Sequence, residues 1–156
     1  DTSDLSVQDI RSKIKSVYFE QNKIGLVIID YLQLIQNSKG KNENRVQELS
    51  EITRSLKAIA REFNIPIIAL SQLNRGIENR VDQKPILSDL RESGSIEQDA
   101  DLVLMLYNNP SNTLKSSDDS KFHLIEVIIA KQRNGPIGMV NLNFDKTRTK
   151  FFSLET

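Results

Sequence analysis

The fold class is decided by the segment LVIID at residues 26–30, in which four apolar residues are followed directly by an acid. Leucine and β-branched residues in so short a run are typical of a strand that is buried on both faces, as in parallel sheets. A second run of this kind, IIAL at residues 67–70, follows Pro66 and leads straight into Ser71 and Gln72. The two runs predict neighbouring strands of an α/β sheet.

Amphipathic helices are predicted before each of these strands. Residues 6–21 have apolar side chains at helical spacing, and Ser6 with Asp9 resembles a capping box. A longer helix between the strands is expected to end at Ile65, because the residue before a proline avoids helical geometry. Its apolar stripe consists of Val46, Leu49, Ile52, Leu56, Ile59 and Phe63. Strand, helix and strand in this order imply a right-handed crossover between parallel strands.

The last third of the chain contains further strand patterns. Apolar runs predict strands at residues 102–107, 124–130, 139–144 and 151–154, with turns at 134–135 and 145–150. Strands joined by such short turns pair in the antiparallel sense. The predicted fold class is therefore α/β, with a mostly parallel central sheet flanked by helices and with antiparallel strands toward the C-terminus.

The composition excludes several classes of site. The chain has 21 Lys and Arg against 21 Asp and Glu, so we expect contacts with nucleic acid to be local. It has no Cys and a single His, which excludes disulfide frameworks, zinc sites and thiol catalysis. No apolar run approaches the roughly 18 to 20 residues that span a bilayer, so we expect a soluble, intracellular protein with no membrane partner.

Two polar side chains follow the predicted parallel strands. Asp30 closes the first strand in a Walker B pattern, and a carboxylate at that position can hold a water of a nucleotide-bound Mg²⁺. Gln72 follows the next strand and is a candidate for contacting a γ-phosphate or for orienting the attacking water. The alternatives are an acid in a solvated turn for Asp30 and an amide that caps loop backbone for Gln72.

Lys131 and Arg133 form a cationic pair at the end of a predicted strand, just before Asn134-Gly135-Pro136. Alternation in an extended chain places both cations on one face. Two cations aimed together suit the charge of a transferring phosphoryl group, as an arginine finger does. The alternative is a solvated strand end before a turn. The pattern leaves open whether they act in their own subunit or on a neighbouring one.

The segment DLRESGS, residues 89–95, is a candidate for phosphate contacts. Its glycine and serines would let backbone N–H groups approach phosphate oxygens, and Arg91 adds positive charge. The alternative is the ordinary entry of a Ser-capped helix near Ser95.

Four strings together resemble the DnaB-type replicative DNA helicase family in their order and approximate spacing. They are IIDYLQL at 28–34, ALSQLNR at 69–75, SDLRESGSIEQDAD at 88–101 and AKQRNGP at 130–136. The resemblance covers nearly the whole chain, and the third string is far more specific than a Walker B pattern alone. It implies a RecA-like core in which residues 1–156 are the C-terminal portion of a single helicase ATPase domain.

The resemblance also implies roles for the residues that would handle nucleotide. The implied cofactors are ATP and Mg²⁺, with Asp30 serving Mg²⁺ through a water. Gln72 would couple the state of the γ-phosphate to the DNA-binding loops. Lys131 and Arg133 would reach the nucleotide of a neighbouring subunit as a trans-acting finger.

DNA contacts and partners follow from the same resemblance. Arg91, Glu92 and Gly94 would face single-stranded DNA in the central channel of a homohexameric ring that moves 5′ to 3′ at a replication fork. Few cations per subunit suffice there, because their contributions repeat around the ring. Primase and a helicase loader are expected to bind through other parts of the full protein. The expected location is bacterial cytoplasm, or plastid stroma if the source is an alga.

The chain departs from the family pattern in several respects. It has no G-x-x-x-x-G-K-[ST] P-loop, because Gly40-Lys41 is followed by Asn42. The family's catalytic glutamate and N-terminal domain are also missing, so the isolated chain is expected to hydrolyse little or no ATP. Tyr107 is followed by Asn108 where the family usually has Arg. The alternative functions are another RecA-like ATPase, such as a recombinase or regulatory ring, and a non-catalytic subunit fragment.

Overall fold

The computed structural model describes residues 5–36, 45–109 and 122–154, and within these ranges the side chains of all residues except 91–95. The helices are α1 (Val7–Gln21), α2 (Arg45–Phe63) and α3 (Gly94–Asp99). The strands are β1 (Val27–Ile29), β2 (Ile67–Ala69), β3 (Leu102–Asn108), β4 (Phe122–Gln132), β5 (Gly138–Asp145) and β6 (Lys150–Ser153). Short 3-10 helices span Leu32–Leu34, Arg75–Asn79 and Leu87–Ser93. The chain divides into two compact units, the first with Asp1–Asn74 and Leu90–Ala100, the second with Arg75–Asp89 and Asp101–Thr156.

The ends of α1 are set by the residues that the sequence indicates. Ser6 and Asp9 form the predicted capping box, in which the Asp9 N–H donates to Ser6 Oγ (3.2 Å) and the Ser6 N–H donates to Asp9 Oδ2 (3.0 Å). The hydrogen bonds from Ser6 hold the pKa of Asp9 below its ordinary value. At the other end Asn22 adopts the left-handed conformation (φ 54°) that commonly stops a helix.

The predicted apolar stripe of α2 is buried in the middle turns of the helix. Its buried members are Leu49, Ile52, Leu56 and Ile59. Val46, in the first turn, is instead 39% exposed. The helix ends at Phe63 because Asn64 turns left-handed (φ 52°), two residues before Pro66. No helix in the described part of the chain has the length and apolar character needed to cross a membrane.

β1 and β2 are the predicted parallel pair, with Val27 opposite Ile67. The prediction that both strands are buried on both faces is wrong for this chain, since Ile28 is 63% exposed and Ile68 is 49% exposed. Ile28 and Ile68 are directly paired across the two strands, so their side chains lie on the same face of the sheet. No element in the described part of the chain covers that face. Within the same part, β1 and β2 are the only strands that pair in the parallel sense, and a single parallel bridge joins Ser6 to Gln36.

β3 to β6 form a four-stranded antiparallel sheet in chain order, which confirms the antiparallel strands predicted toward the C-terminus. On β3, Val103 and Met105 are buried while the alternating leucines are exposed. The turn between β5 and β6 is built on Asp145, which is 1% exposed and accepts hydrogen bonds from the Thr147 N–H (2.8 Å) and hydroxyl (2.6 Å). The two sheets and their helices make the domain α/β, as predicted.

Candidate functional site

The carboxyl ends of β1 and β2 bring Asp30 and Gln72 to one edge of the parallel sheet. The Leu70 N–H donates to the Ile29 carbonyl (2.9 Å), and the Leu32 N–H donates to the Leu70 carbonyl (2.8 Å), so the backbone ladder continues past the strands. Both polar side chains are exposed. Ligands of open α/β sheets bind at this edge, outside the carboxyl ends of the strands. The geometry therefore suits the predicted site, while the roles of the two residues stay predictions.

Gln33, which the sequence patterns did not single out, holds the backbone around Gln72. Its Nε2 donates to Ser71 Oγ (3.1 Å) and to the Gln72 carbonyl (3.3 Å). Its Oε1 accepts a hydrogen bond from the Gln72 N–H (3.4 Å). The carboxamide thus pairs with both main-chain groups of Gln72, much as a neighbouring strand would. Its only indication in the sequence is its position three residues after Asp30. No spacing rule predicts from that position which residue its side chain contacts.

Arg45, the first residue of α2, fixes the turn that carries Gln33. Its Nη2 donates to the Gln33 carbonyl (2.8 Å), and its Nη1 donates to the Ile35 carbonyl (3.5 Å) and to the Glu48 carboxylate. Leu32 and Ile35, at either end of this turn, are 2% and 3% exposed. The main chain of Gln33 is therefore anchored independently of its side chain.

The segment predicted to face DNA lies where two short helices meet. Leu87–Ser93 is a 3-10 helix and Gly94–Asp99 is α3, so Arg91, Glu92 and Gly94 lie on either side of the junction. α3 begins at Gly94, so a helix does start near Ser95. This start is compatible both with phosphate contacts and with an ordinary helix entry. The side chains of 91–95 lie outside the described residues, and their contact with DNA stays a prediction.

This junction is anchored on both sides within the first unit. Leu90 and Ile96 are buried, at 7% and 8% exposure. Thr53 of α2 donates from Oγ1 to Asp99 Oδ2 at 2.6 Å, which fixes the end of α3 to α2. The backbone of the segment is therefore held between packed residues on both sides.

Lys131 and Arg133 lie at the carboxyl end of β4, in the second unit. A β-bulge at Ala130 interrupts the pairing with β3 directly before Lys131. Bulges increase the local twist and redirect side chains, often beside functional sites. Lys131 is half-buried and Arg133 is exposed. The bulge was not predicted, because an extra residue in one strand leaves no distinct mark on an apolar run.

Arg133 is held by Asp101 at the start of β3. The Arg133 N–H donates to the Asp101 carbonyl (2.8 Å), and Arg133 Nη1 lies 3.5 Å from Asp101 Oδ1. The two side chains are 47% and 58% exposed, so solvent screens this ion pair and its contribution to stability is small. The backbone at Arg133 is thus fixed by this bond, and the ion pair of its guanidinium with Asp101 is exposed to solvent.

An ion pair between a buried carboxylate and a partly exposed lysine of the second unit was also missed by the sequence patterns. Glu126 of β4 is 6% exposed, and its carboxylate accepts hydrogen bonds from Lys84 Nζ (2.8 Å) and Asn109 Nδ2 (3.1 Å). Lys84, helped by Asn109, lowers the pKa of Glu126 below its ordinary value, and Glu126 in turn raises the pKa of Lys84. These contacts tie the segment before Pro85 to the antiparallel sheet, which is a structural role.

A magnesium ion bound with nucleotide is compatible with the donors at the sheet edge. Among the described residues there is no group of three or more His, Cys, Asp or Glu that could hold a metal by itself. Asp30 offers one exposed carboxylate there. Mg²⁺ takes one or two carboxylates together with waters and substrate phosphates, so a single acid beside a nucleotide is a suitable contribution.

Comparison with solved structures defines the class of fold. The ATPase domain of G40P matches 99% of this chain and 54% of that chain, with a TM-score of 0.88 and 45% sequence identity. The RadB recombinase matches 93% of this chain and 59% of that chain, with a TM-score of 0.57. Its identity is 21%, so this second likeness shows the fold alone. The domain therefore has the RecA-like α/β fold that the sequence predicted.

The family is narrower than the fold. Residues 1–153 match the family described as DnaB-like helicase C terminal domain, and the chain belongs to that family. A structure described as a DnaB-like replicative helicase and its interactions with primase matches 99% of this chain and 37% of that chain, with a TM-score of 0.88. The predicted resemblance is confirmed.

Curated relatives are similar along almost the whole chain. A probable replicative DNA helicase of Trieres chinensis is 65% identical over 152 residues, which is 97% of this chain and 33% of the relative. The replicative DNA helicase DnaB of Geobacillus stearothermophilus is 53% identical over 155 residues, which is 99% of this chain and 33% of the relative. The chain therefore spans about a third of the length of these relatives.

Proposed function

We propose that the chain is part of the motor domain of an ATP-dependent replicative DNA helicase, which unwinds duplex DNA by moving 5′ to 3′ along a single strand. The observation that carries the proposal is the pairing of β1 with β2, which brings Asp30 and Gln72 to one sheet edge in a chain of the DnaB-like family. Relatives named as replicative helicases support the same function.

ATP with Mg²⁺ is the cofactor of the proposed reaction. The ion neutralises negative charge on the phosphates, and Asp30 is the residue that would hold one of its waters. Gln72 contacts the γ-phosphate or the attacking water and responds to the loss of the phosphate. The sequence has no P-loop motif, so the phosphates need further residues of the full-length protein. The isolated chain accordingly hydrolyses little or no ATP.

Lys131 and Arg133 serve the nucleotide of a neighbouring subunit in a homohexameric ring. The support for this role is the exposed guanidinium of Arg133 at the bulged end of β4, together with its weakly held ion pair to Asp101. A guanidinium in that position stabilises charge that develops in the transition state. An arginine finger contributes about 10³ to 10⁵ in rate.

Single-stranded DNA is the proposed ligand of Arg91, Glu92 and Gly94. Their backbone lies at the junction of two short helices whose flanking residues, Leu90 and Ile96, are buried. In a ring these contacts repeat in every subunit, which reconciles DNA binding with a net charge of zero.

The further partners and the location belong to the full-length protein. Primase binds through other parts of that protein, as supported by the matched helicase structure that is described with its interactions with primase. A helicase loader is the second proposed partner. The protein acts in bacterial cytoplasm or in the plastid stroma of an alga, and an algal relative supports the plastid.

Strand displacement by the full-length protein tests the proposal. Duplexes that carry a single-stranded tail at only the 5′ or only the 3′ end are incubated with ATP and Mg²⁺, with a non-hydrolysable ATP analogue as control. We expect displacement of the duplex with the 5′ tail, and only with ATP. Strand exchange without displacement would support the recombinase alternative, and absence of both would support a non-catalytic fragment.

A further inference from the structure

The Gln33 carboxamide bridges the two strand ends that carry Asp30 and Gln72. It belongs to the turn Leu32–Leu34 after β1, yet its polar contacts are with residues that follow β2. Those contacts are made to the main chain of Gln72 and to the hydroxyl of Ser71, while the side chain of Gln72 is exposed. Gln33 therefore pairs with the backbone of a residue that is itself exposed.

We propose that Gln33 is a positioning residue for Gln72. By pairing with the N–H and the C=O of Gln72, it sets the direction in which the Gln72 side chain leaves the sheet edge, and it does so from the anchored segment that follows Asp30. This inference rests on the proposed function, in which Gln72 responds to the γ-phosphate.

Gln33 holds Gln72 by two hydrogen bonds to its main chain, one to the N–H and one to the C=O. Two hydrogen bonds to one residue resist rotation of its backbone, and that backbone orientation decides where the side chain points. At 3.3 and 3.4 Å, the bonds from Gln33 to Gln72 are longer than the usual 2.9 to 3.0 Å.

Arg45 fixes the main chain from which the Gln33 side chain extends. The Arg45 guanidinium donates to the Gln33 carbonyl at 2.8 Å, and the turn around Gln33 is buried through Leu32 and Ile35. The Gln33 carboxamide therefore extends from a fixed main chain and offers Gln72 a defined position to pair with. The hydrogen bonds of one side chain thus connect the ends of β1 and β2.

The test uses the full-length protein with Gln33→Ala and Gln33→Glu, and with Gln8→Ala on the exposed face of α1 as a matched control. ATP hydrolysis is measured over a range of ATP concentrations, with and without saturating single-stranded DNA. We expect both Gln33 variants to keep KM for ATP within about twofold of wild type. Their stimulation of kcat by DNA falls about fivefold or more. The glutamate fails like the alanine because it lacks the amide donor and places charge against the Gln72 carbonyl.

A double variant separates positioning from a general loss of structure. If Gln33 acts through Gln72, then Gln33→Ala combined with Gln72→Ala has the same DNA stimulation as Gln72→Ala alone. Additive losses, or wild-type stimulation in Gln33→Ala or Gln33→Glu, would overturn the inference. Wild-type protein without DNA-stimulated hydrolysis would overturn the proposed function itself, which is a distinguishable outcome because the wild type is measured in the same experiment.

Discussion

The end of the β1–β2 pair and the end of β4 carry the two groups of predicted nucleotide-handling residues, and the two regions are held in different ways. Around Gln72, neutral amide bonds from the partly buried Gln33 fix the backbone. At Arg133, one backbone bond fixes the main chain, while the guanidinium lies in an exposed ion pair with Asp101.

The difference matters because the two regions are proposed to do different work. A residue that reports on a phosphate in its own subunit needs a defined starting geometry, and hydrogen bonds to both of its main-chain groups provide that. A guanidinium that reaches a neighbouring subunit must leave its resting contact at little cost, and a solvent-screened ion pair allows this. The predictions below test this contrast in order of expected effect.

Arg133→Ala in the full-length protein should have the largest effect. We expect hydrolysis to fall by about 10³ or more while nucleotide binding is largely kept, because the guanidinium acts on charge that develops in the transition state. Turnover and nucleotide affinity are measured side by side, with Lys146→Ala, an exposed cation of the same unit, as control. Equal losses of binding and turnover would show that Arg133 is not a finger.

Asp30→Ala should weaken the Mg²⁺ complex of the nucleotide by about ten- to a hundredfold, because a carboxylate that orients a metal-bound water has effects of this size. Affinity for nucleotide without Mg²⁺ should change much less. Titrations with and without the ion distinguish the two. The same loss under both conditions would assign Asp30 a structural role at the end of β1.

Glu126→Gln tests how much the ion pair between Glu126 and Lys84 stabilises the second unit. We expect the free energy of unfolding to fall at neutral pH, because the Lys84 ammonium loses its counter-charge, and we expect water to compensate part of this loss since that side chain is 40% exposed. Denaturant titration of wild type and variant measures the difference. A change indistinguishable from zero would mean that the Lys84–Glu126 pair contributes nothing to holding the segment.

The same pair predicts how that difference depends on pH. The pKa of Glu126 is lowered by the fold, so its contribution is complete above the ordinary value of 4.5 and is lost as the pH falls through the lowered value. The pKa of Lys84 is raised, so its part is complete below 10.5 and is lost as the pH rises through the raised value. Wild type and Glu126→Gln should therefore differ by a constant amount between these limits and converge in acid.

Asp101→Asn should have the smallest effect on stability. The exposed Asp101–Arg133 pair is expected to contribute less than about 0.5 kcal/mol to unfolding, and the Asp101 carbonyl still accepts the Arg133 N–H in the variant. Denaturant midpoints of variant and wild type provide the comparison. A loss above about 1 kcal/mol would show a firmly held guanidinium and would remove the contrast between the regions.

The elements and strand ends could be predicted because they depend on local patterns. The capping box at Ser6, the stripe of α2 and the apolar runs of the strands are each set by residues that are neighbours in sequence. The adjacency of Asp30 and Gln72 follows from two such runs and one pairing rule. The roles proposed for these two residues come from the four sequence strings that resemble the DnaB-type family.

The contacts made by single side chains could not be predicted. Gln33 reaches Gln72 across 39 positions of sequence, and Lys84 reaches Glu126 across 42. Such pairs depend on tertiary geometry, which leaves no periodic pattern in the chain. The prediction that β1 is buried on both faces was also wrong. An apolar run shows how apolar a strand is, but it does not show which elements cover the strand.

The most direct test of the central claim is ATP hydrolysis with and without single-stranded DNA, measured side by side on this chain and on the full-length protein that contains it. If the chain is part of a helicase motor, turnover is confined to the full-length protein and is stimulated by DNA. Substantial DNA-stimulated turnover by the isolated chain, or no turnover by either protein, would contradict the account.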